Sequence, residues 1–147
     1  MIGAGSNLPE SDHVVRYVPW SRLRRDDEEN VIGFLGEAFA LKPDEKSPSY
    51  VWLEYFEGDR QKRIEHSVTT FRGTIKVGSK SAFAIGKIGK IKSICEENGF
   101  RVRVVYDPID GNPAHSEIRK FPRDEVALLE AHATEAFVDL VKNSDVK

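Results

Sequence analysis

Apolar positions along the chain alternate between a spacing of two and a spacing near 3.6, and the switches divide it into strands and helices. The run HVVRYV from His13 to Val18 is β-branched and aromatic and predicts a strand. Pro19 follows it and removes a ladder donor, which predicts an edge position. VIGFLGEAFAL, interrupted by Gly33 and Gly36, predicts a short strand or an irregular segment under the sheet. SYVWLEYF reads as the strongest strand, with Val51, Leu53 and Tyr55 on one face and Tyr50, Trp52, Glu54 and Phe56 on the other. Asp59 suits a helix N-cap, and Ile64, Val68 and Phe71 then fall on one stripe of a helix over 60–72, with Gly73 to end it.

The second half repeats this alternation. SAFAIG predicts a buried strand, and KIGKIKSICEEN a helix with Ile88, Ile91, Ile94 and Cys95 inward and Gly99 as a left-handed cap. FRVRVVY predicts a strand, DPIDGNP a turn, and AHSEIRKF a further strand or irregular segment. Val126, Leu129, Ala133, Ala136, Phe137, Leu140 and Val141 are spaced for the buried stripe of one final helix. These elements predict one α+β domain over 13–147, a single mixed sheet of about four to six strands packed with three helices. Residues 1–12 carry little to bury and predict a flexible leader.

Composition narrows the class. A chain of 147 residues supports one core. A lone cysteine excludes an intrachain disulfide and a cysteine-built zinc site. No apolar run approaches a membrane span and the first residues lack a signal-peptide pattern, so the expected location is cytoplasmic, with no membrane partner. The net charge of −2 argues against a strongly basic nucleic-acid binder. Residues 72–103 nevertheless hold eight basic and two acidic side chains. Lys76, Lys80, Lys87, Lys90, Lys92, Arg101 and Arg103 are therefore candidates for binding phosphate or a protein partner.

Candidate chemistry concentrates in 107–119. Asp107-Pro108-Ile109-Asp110-Gly111 resembles the metal-binding motif of the inositol monophosphatase and fructose bisphosphatase superfamily, and the resemblance implies Asp107 and Asp110 as candidate metal ligands. It covers five residues, with Asn112 where that family has Thr or Ser, and the chain is too short for that family's framework. His115 and Glu117 form an H-x-E pair without the cysteines that zinc deaminases need. A strand over 114–120 would set His115, Glu117 and Arg119 on one face beside Asn112, a set able to move a proton or bind phosphate. Cys95 falls on an inward stripe and reads as a core thiol. Gly86-Lys87-Ile88-Gly89-Lys90 lacks the phosphate-loop spacing. No cofactor is expected.

The chain as a whole resembles a family of small bacterial proteins without assigned activity, through R-Y-V-P-W at Arg16–Trp20, W-L-E-Y-F at Trp52–Phe56 and N-P-A-H at Asn112–His115. The resemblance implies a bacterial cytoplasmic origin and no catalytic residue. The leading expectation is a non-enzymatic binding or accessory module with a protein partner. The rival is a small hydrolase or phosphotransfer-related enzyme built on 107–119, and a third is nucleic-acid binding through the phosphate backbone. A concave site at 107–119 favours the rival, a convex one the leading reading.

Overall fold

The computed structural model describes residues 2–147. Eight strands and three helices run in the order β1 (His13–Val18), β2 (Leu23–Arg25), β3 (Val31–Phe34), β4 (Ser49–Trp52), α1 (Arg60–Thr74), β5 (Ala82–Lys87), α2 (Ile88–Glu97), β6 (Arg103–Tyr106), β7 (His115–Arg119), α3 (Val126–Ala131) and β8 (Asp139–Lys142). Six of the strands form one sheet in the order β6-β7-β4-β1-β5-β8, and β2 and β3 form a hairpin of their own. Every pairing is antiparallel, where a mixed sheet was expected. The strands joined through α1 (β4 and β5) and through α2 (β5 and β6) run in the same direction but are not neighbours: each crossover skips the strands between them.

The sheet is covered on both faces, because its strands carry apolar residues on both. Val14, Val18, Tyr50, Ala82, Ala84, Val104 and Ile118 pack under α2, α3 and the turn at Gly36–Phe39. Val15, Val51, Phe83 and Ile85 pack under Ile64 and Val68 of α1. Asp59 caps α1 as expected, accepting a hydrogen bond from the Lys62 amide at 2.9 Å, although the helix runs past Gly73 to Thr74. Gly99 takes φ +87° at the end of α2, the left-handed cap its position predicts.

Three elements differ from expectation. β1 lies near the middle of the sheet, between β4 and β5; Pro19 sits just beyond the paired residues and costs no ladder bond. The strand expected over 49–56 stops at Trp52, where Leu53–Tyr55 form a 3-10 turn that buries Leu53. The single C-terminal helix is replaced by α3, a π-helical turn at His132–Ala136, and β8. The extra residue per turn swings Phe137 inward, and Leu140 and Val141 then pair with Ala84 and Phe83 as strand residues. Val126, placed inward by helical spacing, is 76% exposed.

The first residues do not form a loose leader either. The amides of Gly5 and Leu8 donate to the Tyr106 and Val104 carbonyls, Tyr106 donates back to Ser6, and Leu8 is buried. Residues 5–8 therefore cover the outer edge of β6, and the Arg103 guanidinium holds them through Gly5 and Asn7.

One seam of the sheet is weak. β1 and β5 are paired over six residues, whereas β1 and β4 are paired only at Val14–Trp52 and Val15–Val51. Beyond Val15 the two strands separate, and the gap is bridged by a side chain. Arg16 donates from Nε to the Ala38 carbonyl at 2.8 Å, from Nη1 to the Ser49 carbonyl at 2.9 Å and from Nη2 to the Ala40 carbonyl at 3.1 Å.

Candidate functional site

The opening between β1 and β4 is the base of a cleft of about 930 Å³. Its floor combines Tyr17, Ser49, Val51 and His115 from the α1 side of the sheet with Arg16 and Tyr50, reached through the gap. One wall is the end of α1 from Phe71 to Ile75, a second is the segment from Glu37 to Glu45, and the third is the turn Ile109–Asn112. That turn closes through reciprocal amide–carbonyl bonds between Ile109 and Asn112, with Gly111 at φ +81° supplying the left-handed residue. Of the polar segment at 107–119, Ile109–Asn112 and His115 line the cleft while Asp107, Glu117 and Arg119 do not, so the set expected for catalysis does not converge there.

His115 is held from behind. Its Nδ1 lies 2.8 Å from the Asp107 carbonyl oxygen and 3.3 Å from the Asp107 carboxylate. A carbonyl only accepts, so Nδ1 carries the proton and Nε2 is the basic nitrogen. Among the described residues Nε2 has no hydrogen-bond partner. Asn112 is buried beside it, and its Oδ1 also has none. Asp110 completes this corner of the cleft.

The other expected site residues are distributed as follows. His115, Glu117 and Arg119 share a face of β7, as the spacing predicted, but Glu117 and Arg119 pair with each other at 2.8 Å and lie outside the cleft. The carboxylates of Asp107 and Asp110 do not join a third ligand: no group of three His, Cys, Asp or Glu side chains with metal-binding geometry occurs among the described residues. Lys76 and Lys80 lie in the connection before β5 and Lys87 at its far end, roughly 20 Å away for a six-residue strand. Lys90 and Lys92 stand on α2, Arg101 precedes β6, and Lys92 and Arg103 are engaged with Glu10 and with residues 5 and 7. The basic excess of 72–103 does not gather on one face.

Cys95 lies in the core, as its inward stripe predicts. Its Sγ lies 3.6 Å from Nε2 of His132, and both side chains are buried. Burial pushes the thiol up to about 12 and the imidazole down to about 4, so the pair is neutral at physiological pH and the sulfur is a poor nucleophile.

Sequence reasoning missed Arg16. It stands as the one charge in an otherwise apolar run, and that was its signal: a strand covered on both faces can place a guanidinium inside only if acceptors await it. Tyr17, Ser49 and Lys42 gave no signal, since only the separation of β1 from β4 brings them together. Compared with protein-family models, with curated proteins and with solved structures, the chain matches none.

Proposed function

We propose that the chain is a non-enzymatic binding module whose ligand is a small molecule held in the cleft between β1, β4, the end of α1 and the turn at 109–112. The observation that carries this reading is the opening of the sheet itself, which leaves a hollow of about 930 Å³ whose lining mixes apolar and aromatic side chains with convergent charged and polar groups. That is the form of a ligand pocket, whose volumes run to roughly 1,000 Å³. A protein-docking surface of ordinary kind would be flatter.

The test uses Nile red, a neutral dye that brightens in apolar surroundings. The native chain is expected to bind it saturably at one site. Thr74→Trp, which alters an exposed helix-end residue on the rim, is expected to cut that binding at least about five-fold without lowering the melting temperature. Undiminished dye binding by this variant counts against the cleft.

A second reading is favoured by one observation, the Asp107–His115 pair with Nε2 free: His115 Nε2 takes a proton from a water that attacks the carbonyl of a bound ester, and returns it to the alcohol as that carbonyl–oxygen bond breaks. It expects slow turnover of 2-naphthyl acetate by the native chain, reduced at least about ten-fold by His115→Gln while Nile red still binds. Equal rates in the two proteins leave binding as the sole role.

A further inference from the structure

Resting on the reading of the cleft as a ligand site, we infer that its ligand is a monoanionic carboxylate joined to an apolar body, with the carboxylate seated on Arg16.

Arg16 is only 6% exposed, yet it lines the cleft. Its three acceptors are main-chain carbonyls, and no Asp or Glu pairs with it among the described residues. Carbonyl dipoles solvate a guanidinium without cancelling its charge, and a buried charge left without a counter-ion is costly. A guanidinium has five N–H donors, of which the three carbonyls take one each from Nε, Nη1 and Nη2. One N–H on each terminal nitrogen is left, enough for a planar carboxylate.

Charge around the cleft selects among anions. Arg16, Arg22 and Lys42 stand against Glu37, Glu45 and Asp110, three cations to three carboxylates. Arg22 is already engaged by Glu37 at 3.3 Å. A single negative charge matches Arg16, the buried cation of the lining without an acidic partner; Lys42, also without one, is exposed to solvent. A phosphate monoester, carrying close to two charges, would meet the three carboxylates with too little positive charge to offset them. The apolar part of the ligand follows from the rim, where Ile75 and Ile109 are 43% and 50% exposed, and from Phe71, which also lines the cleft.

The experiment is calorimetric titration of the full chain with 2-naphthoate, 2-naphthylmethanol and 2-naphthyl phosphate, which share a ring and differ in head group. The native chain is expected to bind naphthoate about ten-fold more tightly than the alcohol, with the phosphate weaker than the acid. Arg16→Lys is expected to lower the acid-over-alcohol preference below about three-fold by removing the planar fork, and Thr74→Trp to weaken acid and alcohol alike. If Arg16→Lys does not fold, the ranking in the native chain decides. Equal affinity for acid and alcohol, or tightest binding of the phosphate, overturns the carboxylate assignment while leaving the cleft in place. Binding of Nile red with no binding of any naphthalene probe also overturns it. Absence of binding by Nile red and by all three probes removes the ligand cleft and the inference together.

Discussion

Gly86 lies on β5 directly beneath Phe137, and a Cβ built there would come within 2.8 Å of the ring. Phe137 in turn stacks on Phe39 at 4.4 Å and lies parallel to Tyr50 at 5.8 Å, so it has no space to retreat. Gly86→Ala is therefore expected to cost about 1–3 kcal/mol, read as a lower denaturant midpoint at unchanged slope. Sequence reading weighed this glycine only against the phosphate-loop spacing; its contact is with the residue after the π-helical turn, which no periodicity reveals. Tyr50 shows the same limit. Its strand was legible, but the position of its hydroxyl, buried without a partner and pushed up to about 12 by burial, depends on the gap beside it.

Among elements, α1 and α2 were legible because their caps and inward stripes agree: Asp59 with Ile64 and Val68, Gly99 with Ile88, Ile91 and Ile94. The C-terminal helix was misread for a definite reason. Leu140 and Val141 satisfy both a helical stripe and a strand, and only the vacant edge of β5 chooses between them. The segment at 5–8 was misread because a strand-like edge cover needs main-chain bonds rather than apolar side chains, and it buries only Leu8 strongly. Deleting residues 2–9 is expected to destabilise the chain by about 2 kcal/mol, the order of one buried leucine. It is also expected to expose the β6 edge, giving concentration-dependent association by light scattering.

For the whole molecule, stability should follow the protonation of His132. Burial lowers its pKa to about 4 from an ordinary value near 6.5, so the unfolded chain binds the proton more readily than the folded one. The associated stability is complete above pH 6.5 and is lost as pH falls through 6.5 towards 4, amounting to about 3 kcal/mol across that window. His132→Leu should flatten this part of a stability-against-pH curve measured by urea unfolding, while carboxylate titration below pH 4 persists. The overall α+β class was readable from periodicity, though β8 of the six-stranded sheet was not, and so was the shared face of His115, Glu117 and Arg119. The cleft was not, since it arises where two strands fail to pair. That failure also has a mechanical result. Strands β6, β7 and β4 form one leaf and β1, β5 and β8 another, joined by two residue pairs, by the Arg16 guanidinium and, at the other end, by the His13–Glu54 and Trp52–Asp12 hydrogen bonds. With two ladder pairs against six, this seam is expected to yield to denaturant before the junction beside it.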